Sequence, residues 1–165
     1  MAASLELGAF LCAACKSRQP RRLLDLGSGF SSFVLRSYAS LNPGVTTVSV
    51  DDDSAWLQKT AQFLAHQGLE TENLLLLQDF LNARQDPFDL ILHDLNFVEV
   101  RINYVEAILD RLAPGGIVVF DDVHKRDYLH PLLKLLRRRQ GECYSLKPVT
   151  SDQFGRYALV FKGSI

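Results

Sequence analysis

Apolar positions along this chain switch between two spacings, and the switch predicts strands that alternate with helices. Short apolar runs such as 23–26 and 117–120 are typical of parallel strands buried on both faces. Leu57, Ala61 and Leu64 instead recur at the spacing of one helix face. By these criteria we predict strands at 23–26, 46–50, 73–77, 88–94, 117–120, 142–148 and 156–162, and helices at 4–16, 34–41, 54–67, 105–112 and 128–136.

The order of these segments predicts an α/β fold. Strand and helix alternate between residues 22 and 140, which favours a doubly wound, mostly parallel sheet. The last two strands predict a C-terminal hairpin that contributes one antiparallel strand. The chain has 165 residues, 47% of them hydrophobic, which is enough for one domain over 1–165. We expect this domain to consist of an N-terminal helix within 1–20 and a core over 22–165.

Composition restricts the partners. The net charge of −1 gives no general attraction to nucleic acid or to an anionic membrane. We find no apolar run of about eighteen residues and no leader with a cleavage site. Cys12, Cys15 and Cys143 are too few for a disulfide framework and suit a reducing compartment. We therefore expect a cytoplasmic protein with a small-molecule partner, without a membrane or nucleic-acid partner, and leave homo-oligomer formation open.

The turn after the first strand is the main candidate for a ligand site. Gly27 and Gly29 allow positive φ and leave no Cβ between the backbone and a ligand. Ser31 or Ser32 can cap the following helix, whose N–H groups and dipole then point at the ligand. A dinucleotide site has a third glycine where this chain has Ser32. The carboxylate of Asp25 instead favours an amino-acid-like ligand with a positive charge.

Three aspartates, Asp51, Asp52 and Asp53, follow the second strand. Asp51 lies about twenty positions past the glycines, at the strand tip where an acidic side chain hydrogen-bonds a ribose diol. Alternatively, the three carboxylates stabilise the N-terminus of the next helix through its dipole. That alternative accounts for Asp52 and Asp53 better than for Asp51, so Asp51 is the ribose candidate.

The turn and these carboxylates resemble the class I S-adenosylmethionine-dependent methyltransferases, whose D-x-G-x-G motif opens a Rossmann-like domain. The third glycine common in that family is Ser31 here. Segments similar to the family's motifs follow in its order at 25–29, 50–51, 78–79, 88–94 and 114–122. Within the family, the chain is similar to the catechol-type O-methyltransferases and their small bacterial relatives. The resemblance implies a Rossmann-like fold, S-adenosylmethionine as cofactor, and an enzyme that methylates a small molecule on oxygen.

The resemblance also implies roles for individual residues. In the family, residues after the third strand hydrogen-bond the adenine edge and flank its ring, and a carboxylate after the fourth strand lies beside the cofactor. The implied cofactor-binding residues are Asp25, Gly27, Ser28, Gly29, Asp51, Asp52, Gln78, Asp79, Phe80 and Asp94.

The catechol-type branch further implies a metal site. Its members hold a divalent ion with side chains after the fourth and fifth strands, which are Asp94, Asp121 and Asp122 here, oxygen donors that suit Mg²⁺ or Ca²⁺. The lysine that serves as general base in that branch is replaced by Phe97. His124 is then the candidate proton acceptor, since histidine can take a proton near neutral pH, and Asp94 is the second predicted catalytic residue.

Other interpretations of these residues stay open. His124, and His93 at the same edge, are each compatible with an ordinary structural role, and a carboxylate after the fifth strand can cap the next helix. Residues 94–97 faintly resemble the signature of amino methyltransferases, so N-methyl transfer is one alternative function. A catalytically silent cofactor-binding module that works through a partner is another. The basic run 137–139 is short and lies at a helix end, where cations are favoured without any nucleic acid.

Overall fold

The computed structural model describes residues 3–164, so Met1, Ala2 and Ile165 of the predicted unit lie outside it. The strands are β1 Arg22–Leu26, β2 Thr46–Asp51, β3 Leu74–Leu76, β4 Phe88–His93, β5 Leu112–Phe120, β6 Gly141–Ser145 and β7 Leu159–Gly163. The helices are α1 Leu5–Arg18, α2 Phe30–Leu41, α3 Ser54–His66, α4 Leu77–Asn82, α5 Val98–Leu109, α6 Arg126–Leu136 and α7 Lys147–Thr150.

The strands form one sheet in the order β3-β2-β1-β4-β5-β7-β6. Pairing is parallel from β3 to β5, and β7 runs antiparallel to both β5 and β6. This confirms the predicted fold class. Leu26 is level with His93, and His93 with Phe120, so β1, β4 and β5 end side by side. The turns that follow these strands therefore meet at one edge of the sheet.

Each face of the sheet carries its own apolar core, because successive residues of a strand point to opposite faces. Leu24 and Ile91 belong to the cluster that packs against α5 and α6. Leu23 and Leu90 belong to the cluster that packs against α1 and α2. The sheet is thus covered on both sides, and ligand access is left to its edges.

The boundary between α5 and β5 differs from the prediction. Leu112 fits the apolar spacing of a helix, but α5 ends at Leu109 and Leu112 pairs with Phe88 at the start of β5. Pairing with the neighbouring strand therefore overrides helical spacing there. The connection from β3 to β4 contains only the short helix α4. Within residues 3–164 we find no helix that combines the length and apolarity needed to cross a bilayer.

The predicted C-terminal hairpin forms with shorter strands than expected. The backbone after β6 turns into α7 at Lys147, before the predicted strand end at 148. Asp152 accepts backbone N–H bonds from Phe154 and Arg156 and an Nε–H bond of 2.6 Å from the Arg156 side chain. These bonds hold 152–156 as a closed loop, so β7 begins only at Leu159.

Candidate active site

A cavity of about 430 Å³ opens at the carboxyl ends of β1, β2, β4 and β5. Such an edge of a doubly wound sheet is where ligands of this fold class bind. One end of the cavity is lined by Gly27, Ser28, Asp51 and Trp56, and the other by Asp94, Asn96, Arg101, Asp122, His124, Lys125 and Arg156. The predicted glycine turn, the predicted ribose candidate and the predicted proton acceptor therefore face one space.

The glycine turn after β1 is held by backbone contacts that a side chain would prevent. Gly27 has a φ of 103°, and a Cβ at this position would lie 2.0 Å from the carbonyl oxygen of Asp94. The Gly27 N–H donates to the Val50 carbonyl at 2.8 Å, and the Asp94 N–H donates to Leu26 at 2.6 Å. The turn is thereby fixed against the ends of β2 and β4.

Asp25 lies beneath this turn and is fully buried. The Gly29 N–H donates to the Ser32 hydroxyl, which in turn donates to one Asp25 oxygen. Burial raises the pKa of Asp25 to about 6, although the hydrogen bonds from the serines oppose the rise. Asp25 is not among the residues that line the cavity in the described chain. It therefore supports the turn from the protein interior, through Ser32.

Asp51 lies beside the turn at the tip of β2, as predicted, and is 5% exposed. Its Oδ2 accepts bonds from the Ser28 backbone N–H at 2.8 Å and the Ser28 hydroxyl at 2.9 Å. Its Oδ1 accepts the Asp53 N–H at 3.0 Å. Asp53 caps α3 by accepting from two backbone N–H groups, in line with the dipole interpretation, and Asp52 is exposed to solvent.

Of the three residues after β3 that the resemblance assigns to the adenine site, Phe80 is the one whose position disagrees with that role. Gln78 and Asp79 are exposed at the start of α4. Phe80 is fully buried, with its ring 6.3 Å from that of Phe88 and covered by the Arg111 guanidinium at 4.2 Å. Phe80 packs in the core in this arrangement and does not flank a ring in the cavity.

Trp56 is an aromatic cavity residue that the sequence reasoning missed. It is 45% exposed, lies in the first turn of α3, and donates its indole N–H to the Ser28 carbonyl at 2.7 Å. The signal in the sequence that could have indicated it is a lone tryptophan about one helical turn after the three aspartates. The indole provides an aromatic surface beside the glycine turn in the cavity.

Asp94 and Asp122 converge at the other end, as predicted, but on an arginine. Nη2 of Arg101 lies 2.6 Å from Oδ1 of Asp94 and 3.5 Å from Oδ2 of Asp122. Nη1 of the same guanidinium donates to the backbone carbonyl of Asp121 at 3.1 Å. Within the described part of the chain, no group of three or more His, Cys, Asp or Glu side chains is arranged to hold a metal ion. With Arg101 between them, Asp94, Asp121 and Asp122 do not fit a bound divalent ion.

Burial and neighbouring charges shift the pKa values of the three carboxylates in different directions. Burial and the neighbouring Asp121 raise the pKa of Asp94 well above its ordinary value, while Arg101 opposes the rise. Burial likewise raises the pKa of Asp121. Burial acts in the same direction on Asp122, but the hydrogen bond from Lys125 at 2.7 Å and the charge of Arg101 hold its pKa below the ordinary value. Asp122 is therefore the carboxylate of this edge that stays charged most readily.

His124 lines the cavity beside Asp122. Its Nδ1 lies 3.7 Å from Oδ1 of Asp122, and neither atom has a hydrogen-bond partner among residues 3–164. Asp122 itself has a φ of 59°, a left-handed conformation uncommon for a non-glycine residue outside turns and functional sites. That conformation places the carboxylate between Lys125 and His124.

His93 is separate from the cavity. It is fully buried, its Nδ1 lies 3.3 Å from the Tyr128 hydroxyl, and burial followed by the charge of Arg101 lowers its pKa to about 3. A histidine that stays neutral and has no solvent contact is placed to pack the core rather than to take a proton from a ligand. The structural interpretation therefore suits His93.

A family model described as a methyltransferase domain matches residues 24–123, well over half of the chain. The protein belongs to this methyltransferase family. The match confirms the prediction of a class I S-adenosylmethionine-dependent methyltransferase. Among curated proteins, no sequence matches this methyltransferase.

Solved structures of methyltransferases share its fold. The O-methyltransferase TomG of Streptomyces achromogenes, involved in tomaymycin synthesis and solved with SAM, is 23% identical with a TM-score of 0.78, covering 99% of this chain and 81% of TomG. The O-methyltransferase of Bacillus cereus, solved with SAH, is 18% identical with a TM-score of 0.80, and the match covers 99% of this chain and 83% of that protein. The SAH-bound methyltransferase PaMTH1 of Podospora anserina is 16% identical with a TM-score of 0.73, and the match covers 96% of this chain and 79% of PaMTH1.

Arg101 is another cavity residue that the sequence pattern did not reveal, although a signal for it exists. Val105 and Ile108 define the buried face of α5, and one turn earlier the same face carries Arg101. A charged residue on a buried helix face requires a partner. Extending the apolar spacing one turn towards the N-terminus would have identified it.

Proposed function

We propose that this methyltransferase transfers a methyl group from S-adenosylmethionine to an oxygen of a small molecule. The observation that carries the proposal is that one cavity contains the glycine turn and Asp51 at one end and Asp122 and His124 at the other. Its volume of about 430 Å³ lies within the range of small-ligand sites. The two O-methyltransferases of similar fold that were solved with SAM and SAH support the same cofactor.

The cofactor end offers a group for each polar part of the ligand. Asp51 uses Oδ2 in a bond to the glycine turn and Oδ1 in a bond to the Asp53 N–H, but it retains lone pairs that can accept from a ribose diol. The indole of Trp56 lies against Ser28 and offers an apolar surface to the nucleoside. Asp94, which also lines the cavity, is the proposed acceptor for the ammonium group of the methionine part. A bound cation there also compensates a carboxylate whose burial disfavours its charge.

S-adenosylmethionine, when bound, supplies a methyl group already activated on a positively charged sulfur. The protein then has to orient the acceptor and remove its proton. His124 is the proposed proton acceptor: Asp122 faces its Nδ1, which leaves Nε2 for the hydroxyl of the acceptor. The O–H proton moves to His124 as the new O–C bond forms and the C–S bond breaks, and Asp122 stabilises the resulting imidazolium.

We test the function with His124→Asn and with the matched control His130→Asn, which replaces an exposed histidine on α6. Purified protein is incubated with isotope-labelled S-adenosylmethionine and a panel of phenols, catechols, aliphatic alcohols and amines. We expect label in hydroxyl compounds, a rate lower by roughly 10²- to 10⁴-fold for His124→Asn, and no change for His130→Asn.

Other results of this screen identify the alternatives. Label confined to amines would indicate an N-methyltransferase. Cofactor binding without transfer to any compound, alone or with added lysate, would favour the silent module. Equal rates for both histidine variants would contradict the role of His124.

The compartment is part of the same proposal. Cys12, Cys15 and Cys143 are free thiols in the described chain, and two of them are exposed. Exposed free thiols are compatible with a reducing compartment such as the cytoplasm.

A further inference from the structure

Arg101 is a buried charged residue of the cavity with several bonding partners. It is 3% exposed and lies in the first turn of α5. Its Nε donates to the Leu95 carbonyl and its Nη1 to the Asp121 carbonyl, while Nη2 contacts the carboxylates of Asp94 and Asp122. One guanidinium thus bonds to the turns after two different strands, β4 and β5.

The position is an unfavourable one for a cation. Burying a charge costs several kcal/mol unless it is paired and hydrogen-bonded, and the N-terminus of a helix is itself partly positive. The rest of the same helix face is apolar, with Val105 and Ile108 fully buried. The surrounding carboxylates and carbonyls offset this cost, so the arginine and the carboxylates form one unit.

We propose that Arg101 is the fixed internal cation of this active site, a positioning residue that joins Asp94 to Asp122 and takes the place of a divalent metal ion. The inference rests on the proposed function, because it concerns how the same cavity is held for methyl transfer. It predicts a methyltransferase whose cofactor binding and activity need no added metal.

The distances explain why an ion would not enter. Oδ2 of Asp122 is already shared between Arg101 at 3.5 Å and Lys125 at 2.7 Å, and Oδ1 of Asp94 is bonded to Arg101 at 2.6 Å. A divalent ion approaching both carboxylates would meet two positive groups and would have to displace them. The other oxygen of Asp122, Oδ1, faces His124 instead. A carboxylate in this position can stabilise a histidine that accepts a proton.

The first experiment measures the response of the parent protein to metal. Thermal unfolding is followed with S-adenosylhomocysteine present, in EDTA and then with millimolar Mg²⁺, Ca²⁺ or Mn²⁺. We expect the same Tm in all conditions and unchanged methyl transfer after EDTA. A saturable rise in Tm with one ion, or loss of transfer in EDTA that the ion restores, would overturn the inference.

The second experiment compares Arg101→Met with Arg36→Met. Arg36 is an equally buried arginine, 4% exposed, but its guanidinium bonds to Ser49 and to the backbone carbonyls of Glu70 and Asn73. Both variants should lose stability. Only Arg101→Met should bind S-adenosylhomocysteine at least roughly tenfold more weakly by calorimetry, as expected when Asp94 loses its charge-assisted bond.

Arg101→Lys keeps the fold testable if the methionine variant does not fold. Lysine retains the charge but lacks the planar fork that reaches both strand ends, so weaker cofactor binding is again expected. Affinity equal to that of the parent in either Arg101 variant would overturn the positioning role. Failure of the parent to bind S-adenosylmethionine or S-adenosylhomocysteine at all would instead contradict the proposed function, which keeps the two failures distinct.

Discussion

At the scale of single residues, Asp51 has a structural role beside the binding role that we propose for it. Its carboxylate fixes the glycine turn through Ser28 and starts the approach to α3 through Asp53. A side chain with two oxygens and about four acceptor sites can make these bonds and still accept from a ligand. The turn and the proposed ribose site therefore share one residue.

Asp51→Ala should weaken binding of S-adenosylmethionine by roughly tenfold or more, since charge-assisted bonds to a diol are lost and the turn loosens. The control is Asp52→Ala, which removes the neighbouring exposed carboxylate. Calorimetry compares the two affinities, and thermal unfolding establishes that both variants are folded. Unchanged affinity in a folded Asp51→Ala protein would refute the ribose assignment, and a larger effect for Asp52→Ala would transfer the role to that residue.

Asp25 makes the stability of the protein depend on pH. Because its pKa is raised from 3.8 to about 6, the native protein binds more protons than the unfolded chain between these values. The free energy of unfolding contributed by this group therefore falls as pH rises through that window and stays lower above it.

Asp25→Asn removes this dependence while keeping an oxygen that can accept from Ser32. Parent and variant are compared by urea unfolding between about pH 4 and about pH 8. The parent should lose stability relative to the variant, on the order of 3 kcal/mol, as pH rises to about 6, with a constant difference beyond. Parallel curves over the whole range would show that Asp25 is not the titrating group.

At the scale of elements, the C-terminus of α6 carries the one strongly basic segment of the sequence, residues 137–139. Arg139 lies 2.7 Å from Asp110 and Arg138 lies 4.0 Å from Glu106. These contacts tie the end of α6 to α5. They support the interpretation of the run as a helix end with surface ion pairs, each contributing little to stability.

Replacing Arg137, Arg138 and Arg139 together with glutamine should leave cofactor affinity unchanged. The parent protein should also show no nucleic-acid binding that weakens steeply with salt. Filter binding of labelled RNA and duplex DNA at several salt concentrations measures this. A steep salt dependence that disappears in the triple variant would make nucleic acid the partner, against our expectation.

At the scale of the whole molecule, the site depends on parallel strands that end at one level. The register of β1, β4 and β5 brings together turns that are far apart in the chain. The closed loop of the hairpin adds Arg156 to the cavity wall from near the C-terminus. Apolar helices on both faces leave this edge as the place where polar side chains collect.

Local signals in the sequence predict most of the fold. Apolar spacing, the glycines and the position of Asp51 concern residues close together in the chain. They indicated the fold class, the glycine turn and the location of Asp51 at the tip of the second strand. They misplaced boundaries where partners decide, as at Leu112, whose strand conformation depends on pairing with Phe88. The methyltransferase family was accordingly predictable from sequence.

The chemistry of the cavity was decided by tertiary structure. Which side chain fills a space depends on how elements pack, and no local pattern states that Phe80 turns into the core while Trp56 lies at the cavity. The aspartates at 94 and 122 were visible as acidic groups after two strands, yet only packing of α5 against those strands placed Arg101 between them. In a sequence, a cluster of carboxylates is compatible with a bound metal ion, with protonation or with a neighbouring arginine. The fold decides among these, here by packing the helix that carries Arg101 against the carboxylates.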